Sequence, residues 1–393
     1  MEGNCSGDQR EVSERPSMSN LKVNSINDAS GGSNAVLYGV AAPTNSMGFR
    51  NRIINGDMRI DQRNAGASVA PSGTAVYNYL TDRWAYNPTQ ASKMTWGQNL
   101  NSVTPPAGYS SYLGGQVGAS ANVTVGSGDY FFLRQAIEGN NIGDLGFGTA
   151  NASSITLSFW VRSSLTGTFG GTLENSALNR GYPFTYTISS ANTWEQKTIT
   201  FTGDVTGTWA TNNTAGIDVR FGLGAGATYQ GTAGSWQAIN TVSATGAVNL
   251  IATNSATFYI TGVQLEAGSV ASPFERRDYG RELMMAQRYF QKTYNQSVVP
   301  GTSFTAGNNS SVYYGGASSA NATASFRLPV VMRASPTVTT YDAAGNAGKI
   351  SYYNGVWNNN VNPFTFGNES SVVIYSGSIG SLVAAEYTTS AEL

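Results

Sequence analysis

Residues 258–292 read FYITGVQLEAGSVASPFERRDYGRELMMAQRYFQK. The stretch opens as an apolar run, passes through Gly268 and Pro273, and ends in charged residues. That order predicts a strand, a turn and then a helix, with no catalytic signature in any of them. Over 275–292, Tyr279, Leu283, Ala286 and Phe290 follow one another at spacings of four, three and four, which places them on one helical face. Arg276, Arg277, Asp278, Arg281, Glu282, Arg288 and Lys292 should then lie mainly on the other faces. A single helix of this length is marginal alone, so its apolar face must pack on a domain or on copies of itself. One reading is a helix that caps the preceding domain, the other a short axial bundle in a trimer, and the two are compatible. The stretch therefore reads as a junction between two β-rich modules.

The composition around it fits that reading. Charged residues make up 11% of the chain, against about a quarter in typical domains, so Ser, Thr, Asn and Gly must solubilise the surface. These residues are poor helix formers, and 46 glycines beside one long helical pattern point to short strands joined by many turns. A length of 393 residues leaves room for two or three cores. The formal charge of −1 supplies no long-range field for nucleic acid or an anionic membrane, and no basic stripe interleaves with aromatics. Cys5 is the only cysteine and histidine is absent, which excludes a disulfide framework, a Cys/His zinc site and a Ser-His-Asp triad. The opening MEGNCSGDQREVSERPS lacks the apolar core of a signal peptide. No run approaches the roughly 20 apolar residues of a membrane span, so no membrane insertion is expected.

Composition shifts divide the chain into segments 1–48, 49–274, 275–292 and 293–393. Residues 1–17 are charged and without apolar periodicity. Leu21, Val23 and Ile26 then alternate as in a short strand before Gly31-Gly32, in a segment too short to bury a core of its own. In 49–274 strands are expected at 52–60, 82–87, 130–137, 155–162, 195–201, 217–223 and 257–265. The alternations Ile155-Leu157-Phe159-Val161 and Ile217-Val219-Phe221-Leu223 give each of those strands one buried face. Many strands without intervening helices predict a sandwich. In 293–393 strands are expected at 325–331, 337–341, 350–353, 371–374 and 382–387, with Pro329 and Pro336 at strand edges or ends because they cannot donate to a ladder. This last region has a modest core, which association through apolar faces would supplement.

The junction resembles that of many bacteriophage tail-fibre and receptor-binding proteins, in which a VQLE-G-S-ATPFE-type strand precedes a helix ending in QRYF or QRYY. The matching residues are Val263, Gln264, Leu265, Glu266, Gly268, Ser269, Ser272, Pro273, Phe274 and Glu275, then Gln287, Arg288, Tyr289 and Phe290. SNLKVNSINDASGG near the start, SFRLPVVMRASPTVTTYD and the final EYTTSAEL resemble further segments of such fibres. The series RIINGDMRIDQR, YLTDRWAY, LRQAIEG, ITLSFWVRSS, TWEQKTITFTGDVTGTW and FYITGVQLEAG resembles their jelly-roll domains and, more distantly, the carbohydrate-binding modules of glycosidases. The resemblance implies a mainly β chain: an extended N-terminal segment, a jelly-roll β-sandwich, a short connecting α-helix and a second, smaller C-terminal β-sandwich. It also implies a homotrimeric virion part made in the host cytoplasm, joined to other virion tail proteins through 1–48 and contacting host surface polysaccharide or lipopolysaccharide with its distal β domain, 293–393, as the receptor-binding tip. Residues 1–48 can also be read as a flexible leader, and the whole chain as a purely structural collar, head fibre or decoration protein.

No cofactor is expected. Such carbohydrate-binding modules hold a structural calcium through acidic side chains, but this chain has Arg59 in the opening motif and Thr261 with Gly262 in the closing one, so no metal is expected either. A glycosidase needs two carboxylates about 5 to 10 Å apart. Asp57 with Asp61 and Glu266 with Glu275 are the available pairs, neither within a recognisable signature, and a non-enzymatic chain is expected, with a glycan depolymerase as the remaining alternative. The run Gly222-Leu223-Gly224-Ala225-Gly226 lacks the Lys and helix start of a phosphate loop and reads as loop. Sugar binding needs aromatic platforms ringed by amides and hydroxyls, because a pyranose has an apolar face and a polar rim. Two stretches offer this, 84–96 and 351–366. In the first, Trp84 reads as core. In the second, Tyr352, Tyr353, Trp357 and Phe364 interleave with Asn354, Asn358, Asn359, Asn360 and Asn362. Tyr352, Tyr353, Trp357, Asn358 and Phe364 are the candidate glycan-binding residues, and Trp357 can be read equally as exposed or as core.

Overall fold

The larger body is built from β1 (Asn78–Thr81), β2 (Trp84–Pro88), β3 (Met94–Gln98), β4 (Leu113–Val117), β5 (Tyr130–Glu138), β6 (Ile155–Ser163), β7 (Gly167–Asn175), β8 (Gly181–Ile188), β9 (Glu195–Phe201), β10 (Ala215–Ala225) and β11 (Thr257–Ala267). They pair antiparallel into a six-stranded sheet ordered β8-β7-β10-β5-β2-β1 and a five-stranded sheet ordered β9-β6-β11-β4-β3. The two faces meet as a jelly-roll β-sandwich. Ile155, Leu157, Phe159 and Val161 of β6 and Ile217, Val219, Phe221 and Leu223 of β10 are all buried in one core, and the Phe159 and Phe221 rings meet edge-on at 5.0 Å across the sheets. Burying each such side chain contributes about 1.5–3 kcal/mol. Trp84 lies in this core as expected, with its Nε1 donating to Asn55 O at 2.9 Å. The computed structural model describes residues 50–305, 312–315, 322–353, 356–376 and 382–393, with the paired strands Val36–Leu37 and Val40–Ala41 in a separate unit. The rest of 1–48, including Leu21, Val23 and Ile26, and Asn354 lie outside those residues.

Two expected elements differ. Residues 52–60 form no strand, although Ile53, Ile54, Met58 and Ile60 are buried. Asn55 and Met58 take left-handed φ of 57° and 59°, which breaks a ladder. The segment instead bonds to β11 through Arg52 N to Leu265 O and Val263 N to Gly56 O, and a Cβ on Gly56 would stand 2.2 Å from Val263 O. The run 222–225 is strand, not loop. Five of the sandwich strands, β1, β3, β4, β7 and β8, fall where none was expected.

The helix α1 spans Tyr279–Gln287, shorter than 275–292. Asp278 caps it by accepting from Arg281 N at 2.9 Å. Ala286 and Leu283 pack with Ile54, Ile60 and Tyr289, whereas Tyr279 is 48% exposed and Phe290 has left the helix. Phe290 begins β12 (Phe290–Lys292), whose pairing with Ser390 overrides the helical periodicity. Two residues expected on charged outer faces are buried as a pair: Arg277 lies 3.3 Å from Glu282, and Glu282 also accepts from Asn55 N.

Beyond β12 come β13 (Val312–Gly315), β14 (Ala322–Arg327), β15 (Thr337–Tyr341), β16 (Ile350–Tyr353), β17 (Trp357–Val361), β18 (Phe364–Asn368), β19 (Ser371–Ser376) and β20 (Leu382–Ser390). One sheet runs β12-β20-β16-β17, with β13 and β15 also on β20, and a second runs β14-β19-β18. Leu328, Met332, Ile350, Val372, Ile374, Val383 and Tyr387 form their small core. The strand expected at 325–331 ends at Arg327, because Pro329 cannot continue the ladder.

The residues after β20 are held against the sandwich. Arg83, fully buried at the β1–β2 turn, pairs with Glu392 and lies 3.6 Å over the Tyr289 ring. Arg63 reaches the same carboxylate at 2.6 Å. Arg333 Nε donates to Ala391 O at 2.7 Å and its Nη2 to Glu392 O at 2.9 Å. Arg288 and the Tyr289 hydroxyl both donate to Glu138 of β5. Removing one partner of a buried ion pair costs about 3–5 kcal/mol. Glu392→Ala should therefore lower the stability of the whole 48–393 unit by about that amount, read as an earlier midpoint in denaturant with one transition.

Candidate functional site

The sandwich places its most unusual side chains on the outer face of the six-stranded sheet. Along β5 and β10 the inward positions are apolar apart from Gln135, and the alternating outward positions carry Phe132 and Arg134, and Asp218, Arg220 and Gly222. Register sets Arg220 opposite Arg134 and Asp218 opposite Ala136. Two like charges face each other there, and Asp218 lies between them: its Oδ1 accepts from Arg134 Nη2 at 2.6 Å and its Oδ2 from Arg220 Nη2 at 3.2 Å. On β7, Glu174 Oε2 lies 3.5 Å from Arg220 Nη1.

A connection between β10 and β11 covers part of this face. Residues 226–249 lay Gln230–Gly231 and Ser243–Ala244 across it as a short parallel pair. The approach requires Gly222, where a Cβ would stand 2.8 Å from the Ser243 side chain. Thr241 N donates to Glu174 Oε2 at 3.0 Å, and Arg220 Nη1 donates to Thr241 O at 2.9 Å and Asn240 Oδ1 at 3.2 Å. Burial, opposed by Arg220 and the Thr241 hydrogen bonds, pushes the Glu174 carboxyl up to about 7.

Between this strap and the sheet lies a cleft of about 90 Å³. Its walls are the rings of Tyr77, Tyr130, Phe132 and Tyr229, its polar groups are Asn87, Asn240 and Arg220, and Leu178 and Val242 close it. Tyr130 and Tyr229 meet edge-on at 4.9 Å, and Arg134 sits 3.7 Å beneath the Tyr77 ring. Clefts that enclose drug-sized ligands run about 300–1,000 Å³, so this one suits a single ring or chain end. Arg220 Nε, Arg134 Nε and Nη1, Asn87 Oδ1 and Glu174 Oε1 are buried without hydrogen-bond partners among the described residues. Of these side chains Arg220 and Asn87 line the cleft, beside ring faces of the kind on which a pyranose stacks.

The candidate residues of the second β region are placed as follows. Tyr353 and Trp357 pair across the β16–β17 hairpin with ring centroids 5.4 Å apart, both half-buried. Tyr352 packs on the C-terminal core and stands opposite Asn358 in register. Asn358 Nδ2 donates to Val356 O at 3.0 Å. Phe364 belongs to the other sheet, 58% exposed beside Phe366 on β18. The hairpin asparagines serve local bonds: Asn359 Oδ1 accepts from Ser351 Oγ, Asn362 Oδ1 from Lys349 Nζ, and Asn360 N donates to Asp342. The structure thus brings Tyr353 and Trp357 together and sets Tyr352 and Phe364 apart from them. The carboxylate pairs also serve structural roles. Asp57 pairs with Arg59 at 2.5 Å, Asp61 accepts from Asn64 N and Gly66 N, Glu266 from Ser272, and Glu275 from Asn51 N.

No protein family's sequence profile matches the chain. No curated protein matches it. Among solved structures it aligns with the enzymatically active domain of tailspike protein 4 of Bacteriophage CBA120, at 12% identity and a TM-score of 0.27 over 49% of this chain and 21% of that one. It aligns with a putative sugar binding protein from Bacteroides thetaiotaomicron at 9% identity and a TM-score of 0.31, over 56% of this chain and 100% of that one. For a family 11 carbohydrate-binding module from Clostridium thermocellum, in complex with a mixed-linked tetrasaccharide, the values are 10%, 0.25, 48% and 90%. The chain spans about a fifth of the tailspike domain it matches. Overlaps at these TM-scores carry no argument, and the sandwich rests on its own strand order.

The cleft and the hairpin are separable by substitution. Losing a used aromatic contact of about 1–3 kcal/mol weakens binding roughly 5- to 150-fold. Tyr229→Ala should show that loss in monovalent glycan binding with little change in melting temperature, whereas Trp357→Ala should leave binding unchanged. The reverse outcome would move the site to the hairpin.

Proposed function

We propose that this chain is a non-enzymatic bacteriophage tail-fibre or receptor-binding protein that holds host surface polysaccharide or lipopolysaccharide in the cleft of its jelly-roll domain. The observation that carries the reading is a cleft on one sheet face in which the rings of Tyr77, Tyr130, Phe132 and Tyr229 surround Asn87, Asn240 and Arg220. The junction sequence VQLEAGSVASPFE and SFRLPVVMRASPTVTTYD support the virion setting by their resemblance to tail fibres. In this reading residues 1–48 dock on other virion tail proteins. The chain works as a homotrimer, for which the exposed Val331, Val356, Phe364 and Phe366 of the C-terminal region offer apolar surface. A binding role without hydrolysis is supported by the structural bonds that Asp57, Asp61, Glu266 and Glu275 make.

Phage particles carrying Tyr229→Ala should assemble normally and adsorb poorly to host cells. Normal adsorption would leave a purely structural virion part, and release of reducing sugar from host glycan would make the chain a depolymerase. Mass photometry at micromolar concentration should give about three times the 41.4 kDa chain mass, and a monomer would remove the trimer. Deleting residues 1–48 should leave the remainder folded and absent from particles.

A further inference from the structure

Arg220 is the one residue lining the cleft that carries a formal charge. It is a buried cation, and its Nε has no hydrogen-bond partner among the described residues. The charged groups packed around it come from three strands: Asp218 from its own strand, Arg134 from β5 and Glu174 from β7. The strap contributes Tyr229, Asn240, Thr241 and Val242, and β2 contributes Asn87, none of them charged. Two guanidinium groups thus face two carboxylates. Asp218 is shared by both arginines, while Glu174 accepts from Thr241 through Oε2 and keeps a partnerless Oε1. Glu174 is therefore the carboxylate less committed to the pair. With both acids ionised the cluster is neutral. With Glu174 protonated it carries one net positive charge beside the cleft, in a site where low dielectric magnifies the imbalance.

We propose, building on the reading of the cleft as a glycan site, that it takes the carboxylate of an acidic sugar against Arg220 and that Glu174 takes up a proton as it does so. A carboxylate only accepts hydrogen bonds and carries the opposite charge, so it matches the guanidinium that lines the cleft better than a neutral hydroxyl does. The Glu174 carboxyl holds its proton up to about 7 because of burial. Its sign follows: a raised value favours the protonated form, so the net positive cluster is present below about 7 and lost as the pH rises through it. An anion in the cleft raises that value further, and by reciprocity the proton raises affinity for the anion.

The test is a glycan array of matched pairs, read with the full chain at about pH 6 and about pH 8, on either side of the Glu174 value near 7. The pairs are glucosyl with glucuronyl, galactosyl with galacturonyl, and lactosyl with sialyllactosyl, which separates uronates from sialates. The acidic member of a pair should bind more tightly at the lower pH and lose roughly tenfold by the higher, the limit for uptake of one proton by a group titrating near 7. Calorimetry of the best acidic glycan near pH 7 in two buffers of different protonation enthalpy should register proton uptake by the wild-type chain. Glu174→Gln should abolish that uptake and keep acidic-glycan binding at about pH 8. The wild-type proton count stands whether or not that variant folds. Preference for the neutral members, or pH-independent binding without proton uptake, overturns the inference and leaves the cleft a glycan site. Binding that Tyr229→Ala does not weaken, or no binding of either member of any pair, overturns both.

Discussion

A cation buried at a tight turn organises this molecule. Arg83 has a left-handed φ of 70° between β1 and β2, and its side chain is directed into protein rather than water. Desolvating a guanidinium costs several kcal/mol unless a carboxylate and further acceptors compensate. The sandwich supplies only part of that compensation, through Ala136 O, and the segment after α1 adds the Tyr289 ring. The carboxylate is Glu392, more than 300 residues away in sequence. The turn therefore reaches its full set of partners only when the second β region has folded and delivered its last residues. This is a physical reason why 48–393 forms one compact unit although it contains two separate cores.

The same rule explains where the few charges of the chain go. Charged residues are sparse, yet many are buried in pairs: Arg134 with Asp218, Arg220 with Glu174, Arg277 with Glu282 and Arg83 with Glu392. A surface of Ser, Thr, Asn and Gly keeps the protein hydrated without them. Buried pairs add little net stability over apolar packing, but each fixes a single arrangement of the elements that carry it. On the six-stranded sheet that arrangement is the relation of the strap to β7, β10 and β5, and hence the shape of the cleft.

How much of this was legible follows from the range of the interactions. Glu195–Phe201, Thr337–Tyr341 and Ile350–Tyr353 coincide with the strands expected from alternation, because one buried face imposes a period of two locally. Residues 52–60 also carry apolar residues in alternation, but Asn51 and Gly56 spend hydrogen bonds on β11 and Asn55 spends its side chain on Ile60 O and Asp82 O, which no local pattern reveals. In β3, β4 and β7, Gly97, Gly114, Gly115, Gly170 and Gly171 lower β-propensity while admitting close neighbours. The helix lost its last turn to a long-range partner, Ser390.

The site was less legible than the fold for a related reason. The hairpin aromatics announce themselves by adjacency in sequence, whereas the cleft is assembled from six separated segments: 77, 87, 130–134, 178, 218–220 and 229–242. One signal was present: Arg134, Asp218 and Arg220 stand in two largely apolar strands at positions opposite in parity to the core. A charged residue at such a position is ordinarily solvated, and here it is not, because Gly222 of β10 and Gly170 of β7 let the strap lie close enough to bury it. Parity thus marks which face carries the charges, and the glycines mark that the face is covered. Read together, those two local features specify a roofed, charged sheet face, which neither specifies alone.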